Sequence, residues 1–252
     1  MSLVETRKAT AIPTAKTKPS TSSRVRKREQ SSPSGELIYI HIGKCGGTSL
    51  WDAIQRSAPV AKRYPSIRKV HVATPPISHD ADYLIVVRNP IDRVVSAFNW
   101  RLKLVVADGE QKDRFPGEYS VLTKYRSLNA LAEALYKNGV LVPSVAEDFL
   151  KIHHLRESIS FYLSDLLTAI RRKQVFAVMA TELLDADVER VLGVKQVKRI
   201  HDNRAGSNAE KSALSGTARR NLRHFLAPDY DALNRLTRLF PVAPETLKLL
   251  MQ

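Results

Sequence analysis

The residues best placed to do chemistry are Lys44, Cys45, Gly46, Gly47, Thr48 and Ser49, which follow the apolar run Leu37-Ile38-Tyr39-Ile40-His41-Ile42. A strand that feeds a glycine loop and then a helix is a phosphate cradle. Backbone N–H groups and the helix N-terminus face the anion, and a lysine adds charge. The order of residues is unusual: in G-x-x-x-x-G-K-[ST] the lysine follows the glycines, whereas Lys44 precedes Gly46 and Gly47. An ordinary ATP or GTP loop is therefore a poor match. A second constellation, Arg88-Asn89-Pro90-Ile91-Asp92-Arg93-Val94-Val95-Ser96-Ala97-Phe98, follows the apolar run Tyr83–Val87. Arg88 leaves the carboxyl end of a predicted strand, where ligands bind in open α/β sheets. Ser96 comes about two helical turns later, so an arginine fork and a hydroxyl are available to a second phosphate.

Both constellations need a scaffold, and alternating strands and helices supply it. The pattern predicts a strand over Glu36–Ile42, a helix over Thr48–Ser57, a short strand over Ile67–Val72 and a fully buried strand over Tyr83–Val87. Pro90 suits the first turn of a helix, which carries Ile91, Val94, Val95, Phe98 and Leu102 at helical spacing. Val105–Tyr125 is polar and irregular, as expected of a lid or substrate loop. Helices are expected near Leu128–Lys137 and Arg156–Arg172, then a buried strand at Val175–Met179 and a helix over Leu184–Leu192. Lys195–Ser212 is polar and basic, and Leu214–Leu250 is helical with breaks at Pro228 and Pro241. Such alternation implies a parallel sheet covered on both faces.

The 252 residues suffice for one large α/β domain, and 43% of them are apolar, a globular value. Residues 1–34 form a separate Ser/Thr/Pro-rich zone with Arg24-Val25-Arg26-Lys27-Arg28 and a net charge of about +6. With almost nothing to bury, this tail is expected to be disordered. It reads as a solvated extension, with an electrostatic tether to anionic surfaces as the alternative. The domain proper is expected over 35–252. A net charge of +15 favours anionic partners without choosing among them. The single cysteine, Cys45, excludes an internal disulfide framework and a multi-cysteine metal site. No run is long enough for a membrane span and the N-terminus lacks a secretory core, so a soluble, cytoplasmic protein is expected. An organellar transit peptide is the weaker alternative.

The two motifs together resemble the sulfotransferases that use 3′-phosphoadenosine 5′-phosphosulfate (PAPS). In that family the first loop reads P-K-x-G-G-T-[ST]-L and binds the 5′-phosphosulfate. Gly43-Lys44-Cys45-Gly46-Gly47-Thr48-Ser49-Leu50 is similar, with Gly43 where proline is usual and Cys45 where threonine or serine is common. The second element, R-[DN]-P-x-x-R-x-x-S-x-[FY], binds the 3′-phosphate and is matched from Arg88 to Phe98. Looser likenesses are Thr181-Glu182-Leu183-Leu184, the loop His201–Ser207, and Leu214-Ser215 with Ala227-Pro228-Asp229-Tyr230. The resemblance implies a P-loop-NTPase-like three-layer α/β fold, a central parallel sheet flanked by helices with a helical C-terminal part. It implies PAPS as co-substrate, no metal, and an acceptor hydroxyl, with a carbohydrate or glycolipid favoured and no specific nucleic acid.

On that resemblance, Lys44 would neutralise charge growing on the bridging oxygen, and Gly46–Ser49 would cradle the 5′-phosphate. Arg88 and Ser96 would select the 3′-phosphate. His71, at the end of the second strand, is the candidate general base for the acceptor; a strand-end histidine with a structural hydrogen bond is the alternative. His41 reads as a satisfied core residue, and His79, His153 and His154 as surface residues; His201 has a weak claim to nucleotide or acceptor. Trp51 and Trp100 read as core, with stacking on adenine or the acceptor as the alternative. Cys45 reads as a small loop residue rather than a redox thiol, and Glu182 as a helix-start carboxylate or partner of a basic group. The competing classes are a nucleotide-dependent kinase of related fold and a non-catalytic basic protein that binds glycan or nucleic acid.

Overall fold

The computed structural model describes residues 35–195 and 214–252. The basic tail, the loop His201–Ser207 and nearly all of the basic stretch Lys195–Ser212 lie outside the described residues. Strand β1 (Glu36–Ile40) leads to helices α1 (Gly47–Arg56) and α2 (Ala58–Arg63), then β2 (Ser66–Val70) and β3 (Ala81–Val87). Helix α3 (Pro90–Arg101) continues into a π-helical turn, Leu102–Ala107, and α4 (Glu118–Tyr125) and α5 (Leu128–Ala134) follow. A two-residue hairpin, β4 (Tyr136–Lys137) with β5 (Val140–Leu141), precedes α6 (Pro143–Lys151), α7 (Ile159–Leu163) and α8 (Leu166–Ala169). Strand β6 (Val175–Ala180), α9 (Leu184–Leu192), α10 (Gly216–Phe225), α11 (Ala227–Leu239) and α12 (Pro244–Met251) complete the described chain.

The central sheet has the order β2-β1-β3-β6 with every pair parallel. The chain runs outward from β1 to β2 on one side and from β3 to β6 on the other. The loops after β1 and β3 therefore leave neighbouring strand ends in opposite directions and open a crevice between them. This switch point places the two sequence motifs side by side. All seven residues of β3 are buried; since side chains alternate faces, helices cover the sheet on both sides. α1, α2 and α9 pack as one group and α7, α8 and α11 as another. Edge strand β2 exposes Ser66, Arg68 and Lys69, a charged border that discourages further strand pairing. A second apolar core, including Val94, Phe98, Leu122, Leu131, Phe149 and Leu222, joins α3 to α4, α5, α6 and α10.

α3 begins where its sequence predicts. Asn89 Oδ1 accepts the Asp92 N–H at 3.2 Å, Pro90 occupies the first turn and Asp92 complements the helix dipole. The Asn89 side chain also donates to the carbonyls of Leu250 and Gln252 (3.3 and 2.9 Å), tying the end of α12 to the start of α3. The irregular loop expected over Val105–Tyr125 is instead partly helical, with Val105, Glu118, Val121 and Leu122 buried. The helix expected over Arg156–Arg172 is two short pieces, α7 and α8, and Leu128–Lys137 ends in a strand. Pro228 opens α11 instead of breaking a helix. Among the described residues, no helix is long and apolar enough to cross a membrane.

Candidate functional site

The Lys44 loop leaves β1 through residues with left-handed backbone, Lys44 at φ 69° and Gly46 at φ 72°. Gly46 caps α1, so the N–H groups of Gly47, Thr48 and Ser49 are the unpaired donors of its first turn. Thr48 is exposed and Ser49 half-buried, their hydroxyls unbonded among the described residues. Cys45 departs from the expected donor-binding role. Its N–H bonds Ile42 O at 3.3 Å, its side chain is fully buried, and burial pushes its thiol up to about 12. It is an inert loop residue, not a reactive thiol.

Lys44 Nζ rests 4.6 Å from the Trp100 ring centroid. Burial, followed by the neighbouring Arg88, lowers its pKa to about 8. Arg88 Nη1 donates to Lys44 O at 3.2 Å, so the two motifs are joined directly. Ser96 follows on α3, half-buried, its hydroxyl unbonded among the described residues. Glu182 braces this corner by accepting the Asn89 N–H at 3.1 Å, and burial raises its pKa.

His71 Nδ1 lies 3.0 Å from His41 O. A carbonyl only accepts, so Nδ1 carries a hydrogen, and in the neutral ring the lone pair is on Nε2. The exposed His71 ring stacks on His41 at 4.2 Å between centroids. The next residue, Val72, is β-branched yet sits at φ 57° and donates its N–H to Tyr162 Oη at 3.0 Å. Such strain persists only where the surroundings enforce it, and here it fixes the turn that carries His71.

Three sequence readings are corrected at this centre. His154 is 6% exposed, not a surface residue, and lies 5.4 Å from both the His71 and Trp100 rings. Its neighbour His153 is half-buried and stacked on Phe115 at 4.3 Å. Trp100 belongs to the site and not to the core. His41 is not satisfied: its buried Nδ1 has no partner among the described residues, and burial, with His71 and Lys69, lowers its pKa to about 3. Comparison with protein-family models, with curated proteins and with solved structures finds no match.

The glycines of the loop seat the imidazoles. A Cβ on Gly43 would come 2.4 Å from His154 Nδ1, and one on Gly47 would come 1.8 Å from His41 Nε2. Neither position has room for a side chain unless the imidazole beside it moves. We expect Gly43→Ala to cost roughly 1–3 kcal/mol by overpacking, with His154→Ala in the same chain restoring most of the loss. Thermal denaturation of the two variants measures it; an unchanged midpoint in Gly43→Ala would contradict the seat.

Arg93, which the motif contains but to which the sequence assigned no role, is fully buried. Its Nη1 donates to Gly43 O at 3.3 Å and to His154 O at 2.8 Å, holding the lysine loop against the histidine turn. The signal was present, since Arg93 shares the helix of Ser96 and lies five residues after Arg88, but the distant carbonyls it serves were not visible. His153, His154 and Glu157 place one potential metal ligand each within 4.8 Å of one another. Glu157 is already occupied, however, by two N–H groups of Arg156 and the N–H of His154. Both signs of charge act on the two imidazoles: Glu157, Arg101 and Glu118 on His153, and Lys44 and Arg93 on His154. A groove of about 510 Å³ lies elsewhere, lined by Asn99, Leu102, Lys103, Val106, Ala107, Thr123 and Arg126, and holds none of the candidate residues.

Proposed function

We propose that this chain is a PAPS-dependent sulfotransferase that moves the sulfuryl group to an acceptor hydroxyl, that of a carbohydrate or glycolipid. The observation that carries the reading is the bond between Arg88 Nη1 and Lys44 O, which brings two anion-binding motifs together at the switch point. Two phosphates on one nucleotide account for both motifs. The 5′ end belongs at Lys44 and the α1 N-terminus, the 3′-phosphate at Arg88 and Ser96. The acceptor oxygen attacks sulfur, the bond from sulfur to the bridging oxygen breaks, and its electron pair passes to the 5′-phosphate that Lys44 neutralises. The acceptor proton goes to His71 Nε2, the nitrogen left free by the bond to His41 O. Since such a transition state is loose, positioning and charge stabilisation supply most of the rate.

A thermal-shift comparison tests this. Adenosine 3′,5′-bisphosphate should raise the melting point more than ATP with Mg²⁺ does, and Arg88→Ala should abolish the difference. Stronger stabilisation by ATP would favour the kinase reading instead. His71→Ala should lose transfer of labelled sulfate from PAPS into a cell extract and keep bisphosphate binding; normal turnover would remove His71 from its role.

A further inference from the structure

His71 and Lys44 account for the entering and leaving oxygens of the proposed transfer, but not for the group that passes between them. That group carries the charge of a loose transition state on its equatorial oxygens. His154 stands between the two ends. Its ring lies 5.4 Å from that of His71 and 5.4 Å from that of Trp100, the ring whose centroid is 4.6 Å from Lys44 Nζ. Arg93 holds its carbonyl, Glu157 Oε2 accepts its N–H at 3.0 Å and Gly43 leaves room for its ring. The main chain of His154 is thus held at both its N–H and its carbonyl, and its ring is packed against Gly43 and Trp100, beside the half-buried Lys44.

Its tautomer follows from burial. Nδ1 is buried against Gly43 with no partner among the described residues. A hydrogen there would be an orphaned donor, the costlier of the two unsatisfied states, so the hydrogen belongs on Nε2. The ring also stays neutral: burial, then the charges of His153, His71, Lys44 and Arg93, lower its pKa to about 2. Neutral imidazole serves well as a hydrogen-bond donor to developing negative charge because it gives up no proton.

We infer that His154 is a catalytic residue, its Nε2–H donating to an equatorial oxygen of the transferring sulfuryl group between Lys44 and His71. The inference rests on the proposed sulfotransferase reading. The donor strengthens as charge spreads over that oxygen and keeps its proton throughout; the only proton that moves is the acceptor's, to His71.

A planar trigonal anion mimics the group in flight, so nitrate with adenosine 3′,5′-bisphosphate is the probe. Calorimetry of the full chain, in nitrate and in chloride at equal ionic strength, should show bisphosphate binding about tenfold or more tighter in nitrate. His154→Phe should lose the nitrate effect, read as the ratio of its own affinities in nitrate and chloride, whereas His154→Gln, which retains a donor, should keep part of it. If the phenylalanine ring does not fold against Gly43, His154→Leu gives the same reading. Wild-type protein that fails to bind the bisphosphate at all overturns the sulfotransferase reading. Wild-type protein that binds it without a nitrate effect, or a His154→Phe variant that keeps the effect, overturns the role of His154 alone.

Discussion

Lys44→Met is expected to lower kcat by roughly 10²–10³-fold, the loss that follows removal of one preorganised donor at developing charge, and at the same time to stabilise the empty protein. The two signs have one cause. Folding buries the ammonium beside Arg88 and lowers its pKa from the usual lysine range to about 8. Below that pH both folded and unfolded chains carry the proton, and the folded chain bears the full penalty. As pH rises from about 8 toward the unfolded value, the folded chain releases its proton first, and stability rises. Wild-type protein should therefore gain melting temperature over this window relative to Lys44→Met, which lacks the titration. Methionine keeps the chain length and the contact with Trp100, so packing does not confuse the comparison. On the proposed function the anion needs the ammonium, so binding of adenosine 3′,5′-bisphosphate should behave oppositely. Affinity should fall as pH rises through about 8 in wild type and stay flatter in Lys44→Met. Parallel melting curves for the two proteins from pH 7 to 10 would show that Lys44 is not held as a destabilised cation. The design is familiar in functional sites, where a group the ligand needs is uncomfortable without it.

The parts of the scaffold that carry the motifs were legible because they are local. β1, β3 and β6 are short apolar runs bounded by polar loops, and α3 announces itself through the Asn89 cap, Pro90 and its spaced apolar residues. The positions of Lys44, Arg88 and His71 at one sheet edge followed from strand ends alone. What escaped the sequence depends on contacts between distant segments. His154 looked polar among polar neighbours, yet it is buried because Arg93 and Gly43, far away in sequence, close around it. Trp100 read as a core residue and becomes a lysine partner only through contact with the loop after β1. The segment after α3 was misread for a related reason. Its charges suggested an exposed loop, but two of the charged residues bordering it neutralise each other inside.

That pair, Arg101 and Glu118, carries the largest stability effect we expect. Arg101 Nε and Nη2 donate to the two Glu118 oxygens at 2.8 and 2.5 Å, and both side chains are almost wholly excluded from solvent. Glu118 also accepts the His153 N–H at 2.8 Å, while Arg101 reaches Gln111 at 3.0 Å. Glu118→Leu leaves a buried guanidinium without its counter-charge and a buried N–H without an acceptor. The expected cost is about 3–5 kcal/mol, which for a domain of this size lowers the melting point by roughly 10 °C. Replacing both partners, as Arg101→Met with Glu118→Leu, removes the stranded charge and should recover much of that stability, because desolvation offsets most of what a buried pair contributes. Turnover should not recover with it. The carboxylate sets the position of His153, and through the chain that of His154 beside Lys44; an apolar pair of the same volume offers no acceptor to the His153 N–H. A double variant that regains melting temperature but transfers sulfate poorly would separate the two duties of Glu118. One that regains both would reduce the pair to a packing element.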